Sequence, residues 1–174
     1  MDKVLYKTMQ LSDHGCPCGY LGDPTHACTC TPIAIKRYRS RISGPLLDRI
    51  DLHVEVPAVA YRDLSDTRET ESSAVIANRV IQARLIQQER FKGTKAHCNA
   101  QMNARLIKKH CELDAAGHRM LELAGDKLGF SARSYSRILK VARTIADLAG
   151  SEAIHEPHLA EAIQYRSLDR KIPS

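Results

Sequence analysis

From about residue 73 onward, apolar positions recur every three to four residues, the spacing of helices that each bury one face. Ile76, Val80, Ala83 and either Ile86 or Gln87 form the first stripe, with Ser72 or Ser73 as its opening cap. Met102, Leu106 and Ile107 form a second. Met120, Leu121, Ala124 and Leu128 form a third, which Gly129 closes as a left-handed cap. Ser131 opens a fourth helix, "SARSYSRILKVARTIADLAG", whose buried stripe is predicted as Tyr135, Ile138, Leu139, Ala142, Ile145 and Ala149, with Gly150 as the stop. A last helix starts near Pro157 and carries Leu159, Ala160, Ile163 and either Tyr165 or Arg166 along its working edge. The pattern predicts a helical bundle over residues 73–174.

The first 72 residues read differently. Residues 1–15 have no clear period and read as a loose leader. A turn-rich cysteine segment follows, then "IAIKRYRSRIS", a short helix capped by Thr31 with Pro32 at its first position. In "SGPLLDRIDLHVEVP" the alternation predicts a strand: Ile50, Leu52, Val54 and Val56 on its buried face, Arg49, Asp51, His53 and Glu55 on the other. Gly44-Pro45 would make the turn before it and Leu46 and Leu47 anchor it, so that Arg49 emerges from a fixed backbone. The polar run "AVAYRDLSDTRETESS" is expected to link the two parts. The resulting division is 1–15 leader, 16–72 mixed segment and 73–174 helical domain.

Charge and composition narrow the function classes. Twenty-six basic against twenty acidic residues give +6, a lean toward polyanions such as nucleotides or nucleic acid. With no Trp and only two Phe and six Tyr, a single-strand binding surface of stacked rings is disfavoured. No apolar run reaches the roughly 18 residues of a membrane span, and the N-terminus lacks the order of a secretory signal, so a cytoplasmic, membrane-free protein is expected. In that compartment six cysteines favour free thiols or a metal over disulfides. Cys16, Cys18, Cys28 and Cys30 form two C-x-C pairs with nine residues between them, enough thiolates for one zinc ion. The spacing departs from the usual C-x₂-C knuckle, and four plain thiols, or a site completed by His14 or His26, are the alternatives. Cys98 and Cys111 are expected within helices without a metal. No nucleophile elbow, H-E-x-x-H helix or reactive-cysteine pattern occurs.

Four ordered stretches, "CPCGYLGDPTHACTC", "RYRSRISGPLLDRIDLHVEVP", "GFSARSYSRILKVARTIADLAG" and "IHEPHLAEAIQYRSLDRK", resemble the C-terminal half of bacterial magnesium-chelatase-like AAA+ ATPases, a group that includes transformation-competence proteins. The resemblance covers Cys16 to Ile172. It implies a mainly α chain: the edge of an AAA+ α/β core followed by a helical lid. It also implies that Arg49, in "LLDRIDL", is an arginine finger reaching in trans to a neighbour's ATP, and that Arg133 is the sensor-2 arginine of the lid. Arg137, Lys140 and Arg143 continue a basic stripe opposite the apolar one, read either as a solvated helix face or as a surface for nucleic acid. The implied partners are the rest of the ATPase module, the neighbouring subunits of a hexamer, and DNA.

The sequence departs from that family in containing no Gly-Lys dipeptide, hence no Walker A loop, and no Walker B acid. Where the family has Asn-Pro before "CPCG", this chain has His14-Gly15. ATP and magnesium are therefore expected to be held in a full-length parent, with this chain a fragment inactive alone. The rival reading is a stand-alone, zinc-braced helical module binding nucleic acid through Arg133 to Arg143; a decayed protein without activity is the third.

Overall fold

The computed structural model describes residues 15–23, 25–41, 43–47, 49–54, 56 and 70–166. The expected leader, apart from Gly15, the expected linker over 57–69, and Asp48, Glu55 and His14 lie outside the described residues. Seven α-helices are present among them: α1 Pro32–Arg39, α2 Gly44–Leu47, α3 Ser73–Arg90, α4 Ala104–His110, α5 Ala115–Leu128, α6 Ala132–Leu148 and α7 Glu156–Gln164, with a 3₁₀ turn at Asn99–Gln101. The mainly α class stands. None of these helices is long and apolar enough to cross a membrane.

Local chemistry sets the helix ends. Thr31, Ser72, Asn103, Asp114 and Ser131 each accept a backbone N–H of the first turn with a side-chain oxygen, covering a donor the helix cannot satisfy itself. Pro32 occupies the start of α1, where a missing N–H costs nothing. Gly129 ends α5 at φ 66°, a left-handed conformation that a side chain would strain.

The core belongs to the C-terminal part. Ile138, Leu139, Ala142 and Ala146 of α6 are buried against Leu159 and Ala162 of α7, Leu121 of α5, and Phe91, Met102, Cys111 and Leu113 from the connecting segments. The predicted stripe of α6 is thus correct at its centre, while Tyr135 and Ala149 at its ends are exposed. In α3 only Ala83 and Gln87 are buried, and Val75, Ile76, Val80, Ile81, Leu85 and Ile86 remain exposed. Cys98 and Cys111 are buried at helix ends rather than inside helices: Cys98 precedes the 3₁₀ turn and Cys111 follows α4.

The strand predicted over residues 50–56 is corrected. None of the described residues of that stretch is in a strand. Among the described residues of the stretch only His53 is buried, at 7% exposed, whereas Leu52, Val54 and Val56 are 48%, 62% and 84% exposed and Arg49 and Asp51 face solvent as well. A strand needs a neighbouring ladder. Here the His53 N–H instead donates to the Tyr165 carbonyl, at the end of α7, at 2.8 Å. The predicted Gly44-Pro45 turn is likewise a single helical turn, α2.

Candidate functional site

Two groups of residues offer chemistry. The first is the cysteine segment. Cys16 is 1% exposed and sits at the centre of a loop that otherwise faces solvent. Gly19 and Gly22, at φ 84° and 85°, turn the chain in conformations that favour glycine. Asp23 Oδ1 accepts from the Thr25 hydroxyl and amide, both at 2.7 Å, and from the His26 amide at 2.8 Å. Those donors hold the Asp23 carboxyl down at about 2. The turns bring four sulfurs together, all of Cys16, Cys18, Cys28 and Cys30 lying within 4.8 Å of one another. Cys16 and Cys18 are 3.3 Å apart, and Cys28 is 3.6 Å from each. The backbone N–H of Tyr20, with the Cys16 thiol, lowers Cys18 to about 6. Cys28 is pushed up to about 12: the Cys30 amide favours its thiolate, but desolvation and the Cys18 and Cys16 sulfurs outweigh it. His26 stays outside the cluster, stacked on Tyr20 and beside Asp23.

The second group surrounds residues 49–53. Arg49 follows α2, its amide donating to the Leu46 carbonyl at 3.0 Å, and it is exposed. Arg133 lies in the first turn of α6 and is exposed as well. Between them lies Arg166, 1% exposed, which the last-helix pattern left as an alternative to Tyr165. Its guanidinium donates through Nη1 to the Ile50 carbonyl and through Nη2 to Ser134 Oγ at 3.1 Å. Ile50 is the residue after Arg49, and Ser134 the residue after Arg133. One buried side chain therefore bonds to the neighbour of each arginine, to a backbone carbonyl beside Arg49 and to a hydroxyl beside Arg133. Asp51 adds an ion pair to Arg137.

The proposed basic stripe is broken up. Arg137 is committed to Asp51, and Lys140 donates to the Ala100 carbonyl at 2.9 Å, with desolvation lowering its pKa. Arg143 is corrected outright, since it is 2% exposed. Its Nε donates to Asp147 at 3.1 Å, and its terminal nitrogens to the Glu152 and Ser151 carbonyls at 2.8 and 2.5 Å. The cause is position: residue 143 is four from Leu139 and four from Asp147, on the face of α6 that turns inward.

The family profile described as magnesium chelatase, subunit ChlI C-terminal, matches residues 70–166, and that of magnesium chelatase, subunit ChlI, matches residues 7–64. The competence protein ComM of Haemophilus influenzae is 46% identical over 141 residues, 80% of this chain and 27% of that protein. YifB of Salmonella typhimurium and YifB of Escherichia coli are 44% and 42% identical over 142 residues, in each case 81% of this chain and 27% of the relative. The chain thus spans about a quarter of the length of these relatives, and it belongs to the magnesium chelatase subunit ChlI family, in the branch similar to ComM and YifB.

Proposed function

We propose that this chain acts as the C-terminal part of a magnesium-chelatase-like AAA+ ATPase and presents two arginines to one nucleotide at a subunit boundary. Arg49 is the arginine finger. Its fork pairs in trans with the γ-phosphate of a neighbour's ATP and offsets the charge that develops as the phosphoryl group leaves. Arg133 is the sensor-2 residue, in the first turn of α6, where the positive end of the helix dipole favours the same anion. ATP with its magnesium is held in the parent by Walker A and Walker B elements that this sequence does not contain, so the chain alone is expected to be inactive.

The observation that carries this reading is the Arg166 bridge, which holds exposed Arg49 and exposed Arg133 on one joint. A second supports it. The exposed apolar side chains of α3, with those of Leu52, Val54 and Val56, give the remaining ATPase module a surface to cover. The name of the competence relative favours DNA as what the hexameric parent moves along. The rival nucleic-acid module loses its surface, because Arg143 is buried and Arg137 is paired with Asp51.

A chimera tests the proposal: this chain replaces the matching region of the full-length Haemophilus ComM, and steady-state ATP hydrolysis is measured. Arg49→Ala is expected to lower kcat about 10³-fold or more, with Arg49→Lys recovering little of it. Arg133→Ala is expected chiefly to raise the KM for ATP. Unchanged hydrolysis by the Arg49→Ala chimera refutes the finger assignment.

A further inference from the structure

We propose that Cys16, Cys18, Cys28 and Cys30 bind a single zinc ion as four thiolate ligands, and that this ion braces α1 and the segment leading to Arg49. Zinc–thiolate bonds of about 2.3 Å place the sulfurs of a tetrahedral site roughly 3.8 Å apart. The observed separations of 3.3, 3.6 and 3.6 Å, with all four sulfurs inside 4.8 Å, match a mononuclear site without rearrangement of the loop. They do not match an iron–sulfur cluster, whose own sulfides lie between the irons and spread the cysteine ligands farther apart. Nor are they disulfides, which need sulfurs about 2.05 Å apart. On binding, the thiols release their protons to solvent and the dication shares the thiolate charge.

A physical need for the ion is visible in the packing. Cys16 is the one buried residue described between residues 15 and 41, and α1 buries none. A loop and an eight-residue helix without a core cannot hold their own shape. The cysteines sit where a brace acts on both ends of that helix. Cys30 directly precedes the Thr31 cap of α1. Cys16 follows Gly15, whose carbonyl accepts from Arg39 Nε at the other end of α1 at 3.1 Å. The proposal is independent of the nucleotide assignment, and either can fail alone.

The full chain, purified without chelators, is measured for metal by mass spectrometry, with cobalt substitution as a second probe. Expected are about one zinc per chain and, in the cobalt form, the intense d–d bands of a tetrahedral tetrathiolate. The double variant Cys28→Ser, Cys30→Ser loses the metal at least tenfold, while Cys98→Ser and Cys111→Ser keep it, since those thiols are buried elsewhere. Removing the ion from the wild-type chain raises amide exchange at least tenfold over residues 32–39 and leaves residues 132–148 protected. Less than about a tenth of a zinc per chain with all six thiols titratable overturns the proposal, as does iron in its place or undiminished zinc in the double variant. Unchanged exchange over residues 32–39 after metal removal overturns the bracing role.

Discussion

Arg166 reaches back over 116 residues of sequence to the Ile50 carbonyl with one arm of its guanidinium and over 32 to Ser134 with the other. A planar fork with fixed donor directions suits this task better than a lysine ammonium, which would satisfy one acceptor at a time. Arg166→Met keeps much of the bulk and removes both donors, taking this donor from the part-buried Ile50 carbonyl while Ser134 Oγ keeps its contact with Ser131 Oγ at 3.3 Å. The expected loss is about 1–3 kcal/mol of stability by urea unfolding, the cost of one unmet carbonyl. A structural residue elsewhere in the core would cost as much, so a second readout is needed. Trypsin is expected to cleave after Arg49 several times faster in the variant, at temperatures where helical circular dichroism is unchanged. If cleavage after Arg49 keeps its wild-type rate, Arg166 does not hold that segment.

At the scale of elements, helix ends were legible in the sequence and faces less so. Thr31, Ser72 or Ser73, Gly129 and Ser131 announce themselves through short-range chemistry that tertiary packing does not override. Alternation in Ile50–Val56 did not show which residue turns inward: only His53 is buried among those described, and that depends on a contact with Tyr165 far along the chain. Arg143 was assigned to the outer face by its charge, although the helical period itself puts it beside Leu139 and Ala142. The cysteine spacing singled out the four residues that cluster but not the turns that bring their sulfurs together.

The start of α7 carries an element-scale prediction. His158 Nδ1 accepts from the His155 N–H at 3.1 Å, a bond that only the neutral ring can accept. Desolvation, then the nearby His155 and Arg143, lower the His158 pKa below its usual 6.5. The unfolded chain therefore takes up this proton first as pH falls. Stability from this group is fully present above about pH 6.5 and declines below it until the folded-state pKa is reached. His110, lowered chiefly by desolvation, works in the same direction. Urea midpoints measured at pH 7.5 and 5.5 are expected to fall for the wild type and to fall less for His158→Ala; equal slopes would remove His158 from the account.

Taken as a molecule, the chain joins two unlike constructions. Residues 70–166 have an aliphatic core, while residues 15–56 bury only Cys16 and His53 among those described. The helical part is also cross-linked by one carboxylate. Asp147 receives Arg90 from α3 at 2.6 and 2.5 Å, Asn99 from the 3₁₀ turn at 2.8 Å and Arg143 of its own helix at 3.1 Å. Arg143 in turn holds the carbonyls of residues 151 and 152. Asp147→Asn leaves two guanidinium groups in a buried setting with no counter-charge, at an expected cost of about 3–5 kcal/mol. The pair Arg79–Glu71 has an equally short contact of 2.7 Å but lies in solvent, so Glu71→Gln should change stability by under about 1 kcal/mol. Burial, not distance, separates the two outcomes. Because Asp147 bonds to none of the described residues of the cysteine segment, the Asp147→Asn protein should unfold its helical part at lower urea yet retain the zinc proposed for that segment. Loss of both together would mean that the two constructions fold as one cooperative unit.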